Sequence, residues 1–344
     1  MKKIAAVLLA FALPLWLVAA PGDVRAQSRA KLVVYSTLET DQLGVYKKAF
    51  EADNPDIEIA WLKDSTGIIT ARILAEKGGG QADAVWGLAV TSMILLDEQG
   101  LLLPYAPKAL AQIKPSFRDA KNPPSWVGVD AWVAALCFNT AEAAKRGLKP
   151  PRSWRDLLDP AWRGQLVMPN PASSGTGYFH VAAWIQMMGE QAAWDFMDGL
   201  DANMALYTHS GTKPCRMAAN GEFTVGIAYE LAGATARQQG APIDTLLMQE
   251  GGGWDMDATA ILKGTKNLAL AQRLADWSAS RPANEIYSQY LAVVAIEGVK
   301  SDIPFYPKGV EQSMIKNDFA WAAANRQRII DEWRRRFDAK SEPK

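Results

Sequence analysis

A run of hydroxyl and glycine residues, Ser173-Ser174-Gly175-Thr176-Gly177, is the segment of this chain best suited to binding an anion. An apolar run that predicts a strand precedes it, and a helical pattern follows. Its hydroxyls and free backbone N–H groups therefore lie at a helix N-terminus, where the helix dipole favours negative charge. No lysine follows the glycines, so the run is not a nucleotide-binding phosphate loop. The alternative is a tight turn whose serine only caps the helix, but three hydroxyls exceed what one cap requires.

Hydroxyl side chains also follow two other predicted strands. Thr37 ends the first apolar run, and Ser65 and Thr66 come shortly after the second. Ligands of parallel α/β sheets bind beyond the carboxyl ends of the strands, so these side chains are candidate donors, although each alone suits a helix cap. Tyr178 and Ser210 are further candidates, and Tyr178 fits an apolar core equally well.

Acidic and aromatic residues at other strand ends are suited to binding a cationic group. Glu230 ends an apolar strand, and Asp64 and Asp255 are alternatives for pairing with an ammonium. Trp86 ends the third predicted strand and offers an aromatic face to the same group. Because the chain holds 13 tryptophans, most of them must be structural, and a core position for Trp86 is the alternative.

The candidates lie where apolar runs end, so the secondary-structure pattern decides whether they come together. Short apolar runs predict strands at 31–37, 57–62, 82–86, 132–138, 165–168, 204–207, 224–229, 245–248 and 254–262. Helical patterns follow several of these, and further helices are predicted at 268–280, 284–294 and 319–337. Strands that are apolar throughout and alternate with helices predict parallel sheets covered on both faces.

The strand–helix alternation occurs twice, which predicts an α/β protein of two lobes, each a mostly parallel sheet flanked by helices. Two extended segments, 130–139 and 254–262, would cross between the lobes, form a hinge and leave a ligand cleft. The predicted boundaries are 1–26 for a signal peptide, 27–135 for lobe 1, 136–256 for lobe 2 and 257–344 for a return to lobe 1.

Composition excludes several classes of protein. The 344 residues carry 37 Lys+Arg and 37 Asp+Glu, and this zero net charge argues against a dedicated nucleic-acid binder. Two histidines, His180 and His209, leave no multi-histidine metal centre, and two cysteines cannot form a four-thiolate metal site. We therefore expect neither a metal nor a cofactor.

The first residues indicate export. Lys2 and Lys3 precede an apolar stretch that ends in small residues, which predicts a secretory signal peptide cleaved after Ala26, with a membrane anchor as the alternative. An oxidising compartment would allow Cys137 and Cys215 to pair. Because Cys137 lies in an apolar run, we expect two unpaired, buried thiols instead.

Seven segments, in order along the chain, carry a resemblance to a known family: 34–37, 82–86, 100–102, 138–140, 151–157, 173–177 and 303–307. Through them, from about Leu32 to Gly309, the chain resembles type II periplasmic solute-binding proteins of ABC transporters, in the ferric-iron and phosphonate branch. Within that branch it is most similar to 2-aminoethylphosphonate-binding proteins. The resemblance implies a periplasmic monomer, not an enzyme, whose lobes close on a small anion and deliver it to a membrane permease.

Ferric members of that family bind iron with two adjacent tyrosines, whereas here Tyr229 is followed by Glu230, which argues against iron. The alternatives are another small anion, such as a phosphorylated sugar or phosphate ester, or ferric ion. A sensor that docks to a chemoreceptor is a further possibility. An exported hydrolase using Ser173 or Ser174 is a remote one, because no Gly-x-Ser-x-Gly motif is present.

Overall fold

The computed structural model describes residues 29–343, so the predicted signal peptide lies outside the described residues. The first half of the fold contains β1 (Ala30–Ser36), α1 (Thr40–Asp53), β2 (Ile57–Lys63), α2 (Thr66–Glu76), β3 (Ala84–Ala89), α3 (Val90–Glu98), β4 (Leu102–Leu103), β5 (Val127–Asn139), α4 (Thr140–Arg146), β6 (Leu166–Pro169), α5 (Gly175–Met188) and α6 (Glu190–Asp201). The second half contains β7 (Met204–Thr208), α7 (Lys213–Ala219), β8 (Val225–Tyr229), α8 (Glu230–Gln238), β9 (Ile243–Leu246), β10 (Trp254–Leu262), α9 (Leu268–Ser278), α10 (Arg281–Tyr287), β11 (Val293–Val294), α11 (Val310–Ser313) and α12 (Phe319–Phe337). Short 3-10 turns fill several of the connections.

The main strands form one mixed sheet in the order β2-β1-β3-β10-β5-β8-β6-β7, and helices flank it. In lobe 1, β2, β1 and β3 are parallel, and β10 is antiparallel to β3. In lobe 2, β7, β6 and β8 are parallel, and β5 is antiparallel to β8. The predicted α/β fold of two lobes is confirmed, and β3, β5 and β8 are buried throughout, as strands covered on both faces must be.

Two long antiparallel strands connect the lobes. The first part of β5 pairs with β10, and the second part, from Ala134 to Phe138, pairs with β8 of lobe 2. The other crossing strand, β10, coincides with the predicted segment 254–262. The strand ends that carry the candidate residues therefore face each other from two lobes joined by these strands.

The C-terminal region contacts both lobes, whereas the predicted boundaries place 257–344 on lobe 1. Helix α12 packs against α3 of lobe 1, and its apolar stripe enters the core of lobe 2, where Trp333 meets Tyr207 at 4.8 Å between ring centroids. Beyond the helix, the backbone N–H of Glu342 donates to the carbonyl of Tyr207 at 2.9 Å. The predicted helix at 284–294 is also too long, because α10 ends at Tyr287 and 293–294 form β11.

The expectation of two free thiols is wrong. Cys137 of β5 and Cys215 of α7 form a disulfide across 78 positions of sequence. Both residues are buried. The apolar run around Cys137 therefore predicted its burial correctly, but it could not show that Cys215 lies beside it in the fold.

Within the part of the chain from 29 to 343, no helix has the length and apolarity required of a membrane span.

Candidate functional site

A cavity between the two lobes brings together most of the predicted ligand-binding residues. Its volume is about 100 Å³, several times the roughly 10–15 Å³ that one water requires, so it has room for a small molecule. Nine of the predicted residues line it: Thr37, Asp64, Ser65, Thr66, Ser174, Gly175, Thr176, Ser210 and Tyr229.

The N-termini of α2 and α5 meet at this cavity from opposite lobes. The backbone N–H of Gly67 donates to the carbonyl of Ser173 at 2.8 Å, which joins the lobes directly. A glycine is needed at 175 because a side chain there would reach within 2.7 Å of the Thr66 hydroxyl. The first N–H groups of a helix have no partner within the helix, and its dipole is positive at that end. The meeting of two such ends makes this part of the cavity suited to an anion.

Hydroxyl groups surround the two helix ends. Ser174 caps α5, since its Oγ accepts from the backbone N–H of Gly177 at 3.2 Å, whereas Ser65 precedes α2 with no side-chain cap hydrogen bond. Thr37 donates to the carbonyl of Gly87 at 2.7 Å. Ser210 lies 3.0 Å from the hydroxyl of Thr212. The Ser65 hydroxyl is therefore available to a ligand, and the capping hydroxyl of Ser174 can still donate its own proton.

A second set of cavity residues is charged and was not among the residues predicted from the sequence. Glu39 follows β1, and the hydroxyl of Tyr229 donates to its Oε1 at 3.1 Å from the other lobe. Burial raises the pKa of Glu39, although the nearby Lys63 opposes the rise. Asp257 of β10 also lines the cavity, and burial raises its pKa to about 7. The position of Glu39 just after a strand was a usable signal, whereas Asp257 lies inside a strand and offered none.

Other missed residues form the rest of the lining. Apolar walls come from both lobes, and polar groups add to the charged set: Leu38, Gln42, Lys63, Trp132, Gly211, Leu231 and Leu291. Trp132 is 7% exposed and lies on β5, in a run whose periodicity predicts only a buried strand.

Two predicted aromatic residues belong to the core instead of the cavity. Trp86 is fully buried and packs against Tyr46 at 5.7 Å and Trp277 at 5.5 Å between ring centroids, so it offers no face to a ligand. Tyr178 is also fully buried: its hydroxyl donates to the carbonyl of Ala322, and the guanidinium of Arg326 lies 4.3 Å from its ring centroid.

The two predicted carboxylates Glu230 and Asp255 are buried and hydrogen-bonded within the protein. Glu230 accepts from the backbone N–H of Val133 at 2.7 Å and from the hydroxyl of Tyr306 at 2.6 Å, and burial raises its pKa to about 7. Asp255 accepts from the hydroxyl of Thr91 at 2.7 Å, and burial raises its pKa to about 6. Neither side chain lines the cavity, so neither is a partner for a ligand ammonium there.

Ser173 lies next to the cavity but does not line it. Its hydroxyl donates to the carbonyl of His209 at 3.0 Å, and its own carbonyl accepts from Gly67. In a serine hydrolase a histidine would accept a hydrogen bond from the serine hydroxyl. Here the ring of His180 bonds the carbonyl of Ala228, and the ring of His209 bonds that of Pro343. The hydroxyls of Ser173 and Ser174 bond backbone groups, and neither contacts a histidine ring.

Residues 89–320, more than half of the chain, match the model of a family described as bacterial extracellular solute-binding proteins. The chain belongs to this family. A Haemophilus influenzae protein of unassigned function is 31% identical to this binding protein over 319 residues, which cover 90% of this chain and 91% of the relative. A probable ABC transporter periplasmic-binding protein of Sinorhizobium fredii is 24% identical over 246 residues, 70% of this chain and 67% of the relative.

A solved structure of a periplasmic binding protein is also similar to this chain. The periplasmic binding protein AfuA of Actinobacillus pleuropneumoniae, with fructose-6-phosphate bound, is 30% identical to this binding protein. The match covers 90% of this chain and 99% of AfuA, with a TM-score of 0.84. The two-lobed architecture of the binding protein is therefore that of periplasmic binding proteins.

The surroundings of Tyr229 bear on iron binding. Its hydroxyl bonds Glu39, whereas the next side chain, Glu230, turns to Tyr306 and the core. The two neighbours therefore do not form a pair of adjacent iron ligands. Among residues 29–343, no group of three or more His, Cys, Asp or Glu side chains is arranged to bind a metal ion.

Proposed function

We propose that this binding protein captures a small organic phosphate or phosphonate between its lobes and delivers it, chemically unchanged, to the membrane permease of an ABC importer. The observation that carries the proposal is the meeting of the α2 and α5 N-termini across the cavity, joined by the bond from Gly67 to Ser173. The family supports an extracytoplasmic location. We propose that residues 1–26 are the cleaved export signal and that the protein acts as a periplasmic monomer.

The donors present are sufficient for useful affinity without a cluster of arginines. Micromolar binding requires about −8 kcal/mol. Hydrogen bonds to charged groups contribute roughly 1.5–3 kcal/mol each. Five or six donors from the two helix ends and their hydroxyls would supply this after the ordering costs of association.

The organic part of the ligand must carry hydrogen-bond donors. Glu39 and Asp257 present carboxyl groups to the cavity, and only Lys63 brings a full positive charge to its lining. Inorganic phosphate alone would leave these acceptors unmatched. Two ligands suit these groups. The ammonium of 2-aminoethylphosphonate suits the excess of carboxyls, and the hydroxyls of a phosphorylated sugar, of the kind bound in the AfuA structure, can donate to them.

Calorimetric titration of the purified protein tests the proposal. The panel contains 2-aminoethylphosphonate, fructose-6-phosphate, inorganic phosphate and ferric citrate. We expect micromolar or tighter binding of at least one of the first two and at least tenfold weaker binding of inorganic phosphate. Tight binding of ferric citrate, with no heat from either organic anion, would show that the assignment is wrong.

A matched pair of cap variants locates the anion site. Ser174→Ala removes the cap of α5 at the cavity, and Ser280→Ala removes the cap of α10, where Ser280 accepts from the N–H of Ala283. Each should cost about 1 kcal/mol of stability. Only Ser174→Ala should also weaken ligand binding, by about tenfold, and equal affinities in the two variants would argue against an anion at α5.

A further inference from the structure

Two buried aspartates lie directly opposite each other on the strands that connect the lobes. Asp130 of β5 and Asp257 of β10 are register partners in the antiparallel ladder. Asp130 is fully buried, and Asp257 is 8% exposed and lines the ligand cavity. The pair therefore joins the surface of the site to the hinge strands behind it.

No cation neutralises this pair. Among the described residues, neither aspartate is within 4 Å of a lysine or arginine nitrogen, and neither carboxyl oxygen of Asp130 has a hydrogen-bond donor from another group. The titratable groups that face the pair from neighbouring elements are mostly acidic or phenolic: Glu39 just before α1, Tyr46 of α1, Lys63 of β2, Asp255 of β10, Glu230 of α8, Tyr229 of β8, Tyr287 of α10 and Tyr306 between β11 and α11.

Two adjacent carboxylates cannot both remain ionised in such surroundings. Burial raises the pKa of Asp130 well above its ordinary value, and the charge of Asp257 raises it further. Asp130 is therefore the protonated member and donates to Asp257, which titrates near neutrality because burial raises its pKa to about 7. The cavity is thus presented with a carboxyl whose charge is readily changed.

We propose that Asp130 and Asp257 form a proton-sharing acid pair through which Asp257 recognises a hydrogen-bond donor on the organic part of the ligand. In this arrangement Asp130 is a positioning residue, because it orients Asp257 and does not line the cavity. The inference rests on the proposed function and deepens it, since it assigns the donor group of the ligand to a particular side chain.

The pair links binding to protons, and the direction depends on the donor. A ligand ammonium favours the ionised form of Asp257, so Asp257 releases a proton when that ligand binds. A hydroxylated phosphate adds negative charge to the cavity, so Asp257 takes up a proton instead. Because Asp257 is about half ionised near pH 7, the exchange amounts to roughly half a proton for each ligand bound.

Titration calorimetry in buffers of different ionisation heat measures this exchange. The probes are 2-aminoethylphosphonate and fructose-6-phosphate, and the proteins are wild type, Asp257→Asn and Asp130→Asn. The number of protons exchanged by Asp257→Asn gives the contribution of the ligand's own phosphate group. The difference between wild type and this variant is therefore the contribution of the Asp130–Asp257 pair. We expect a difference of about half a proton, as release for the ammonium ligand or uptake for the hydroxylated one.

Asp130→Asn separates positioning from simple support of the fold. An asparagine amide donates to Asp257 but cannot share a proton with it, so it favours the ionised form of Asp257 more than Asp130 does. This variant should therefore bind the hydroxylated phosphate about tenfold more weakly and the ammonium ligand at least as well as wild type. Equal weakening toward both probes would indicate a structural role only and would overturn the proposal. Circular dichroism checks folding, and Asp257→Ser serves as a second variant if Asp257→Asn does not fold.

Carboxyl carbon NMR of the ligand-free protein provides a readout that needs no ligand. Besides Glu230, wild type should show a second carboxyl titrating near pH 7, which is absent from Asp257→Asn and moves to lower pH in Asp130→Asn. If this titration is seen but no organic anion binds, the proposed function is wrong and the recognition role is wrong with it. If a ligand binds wild type and Asp257→Asn with equal affinity and proton count, only the acid-pair proposal is wrong.

Discussion

At the scale of single residues, Glu230 couples the stability of the protein to pH. The carboxyl is fully buried and accepts from Val133 and Tyr306. Burial raises its pKa in the folded protein to about 7 from an ordinary 4.5. Because the folded pKa exceeds the unfolded one, the native state binds more protons, and this stability is lost as pH rises from about 4.5 through 7.

Glu230→Gln should therefore stabilise the protein in mild alkali. At about pH 8 we expect the free energy of unfolding to rise by about 3 kcal/mol, since a buried carboxylate is replaced by a neutral amide. Wild type should gain about 1 kcal/mol through this group between about pH 8 and 6.5, and the variant should lose that gain. Urea unfolding at several pH values measures both effects.

The pH window and the control keep this test specific. Burial lowers the pKa of His180 to about 3 from 6.5. Below about pH 6.5 the unfolded state therefore binds a proton that the folded state does not, which lowers stability and opposes the carboxyl effect. Glu222→Gln, at an exposed position, should leave stability unchanged at every pH. A loss of stability in Glu230→Gln at about pH 8 would show that the charged form is the one the fold requires.

The sequence predicted the hydroxyl residues of the site better than its carboxylates, for a physical reason. Thr37, Ser65 and Ser174 follow strands, and Ser65 and Ser174 also directly precede helices, so local sequence determines where they lie. Glu230 also follows a strand, but its direction is set by Tyr306, which is 76 positions away. Which carboxyl faces the cavity thus depends on packing between distant segments, and Asp257 was missed for that reason.

At the scale of elements, the alternation of strand and helix patterns and the apolar runs predicted element limits reliably where an element is almost wholly buried. The limits of β10 agree with the predicted segment, because all but one of its residues are buried and the apolar run ends where the strand ends. The sequence could not predict which elements contact each other. Cys137 lies on β5 and Cys215 on α7, and only the folded arrangement of lobe 2 places the two sulfurs together.

Removal of this disulfide should destabilise the protein considerably. Closing a loop of this length restricts the unfolded chain by at most about 4–5 kcal/mol, and removal of native disulfides usually costs about 2–5 kcal/mol. We expect Cys137→Ala combined with Cys215→Ala to lower the free energy of urea unfolding by that amount. Wild type treated with dithiothreitol should behave like the variant, and the reductant should leave the variant unchanged. Two titratable thiols in the untreated native protein would contradict the pairing.

At the scale of the whole molecule, the lobes are closed. The bond from Gly67 to Ser173 and the bond from Tyr229 to Glu39 both connect one lobe to the other across the cavity. The two sheets share β5 and β10, so a small rotation about these strands would break both bonds together and open the site. Closure therefore depends on how near the two helix ends can approach.

Gly67→Ala should prevent full closure while leaving lobe 1 intact. A Cβ at this position would lie 2.2 Å from the carbonyl oxygen of Ala172 and 2.9 Å from that of Ser173, both on the opposite lobe. Within α2 itself, alanine is favoured over glycine by at most about 1 kcal/mol, so the melting temperature of the free protein should be unchanged or higher. Affinity for 2-aminoethylphosphonate or fructose-6-phosphate should fall at least tenfold, which is about 1.4 kcal/mol.

Gly44→Ala is the matched control, because Gly44 lies within α1 of the same lobe and a Cβ there meets nothing within 4 Å. Both variants place an alanine in a helix of lobe 1, but only the one at position 67 meets the opposite lobe, so a loss of ligand affinity confined to Gly67→Ala comes from that contact. Small-angle scattering should show the radius of gyration decreasing on ligand addition for wild type and Gly44→Ala, and a smaller decrease for Gly67→Ala. If Gly67→Ala contracts and binds like the control, the lobes close by a different path, and the contact between α2 and α5 is not what limits their approach.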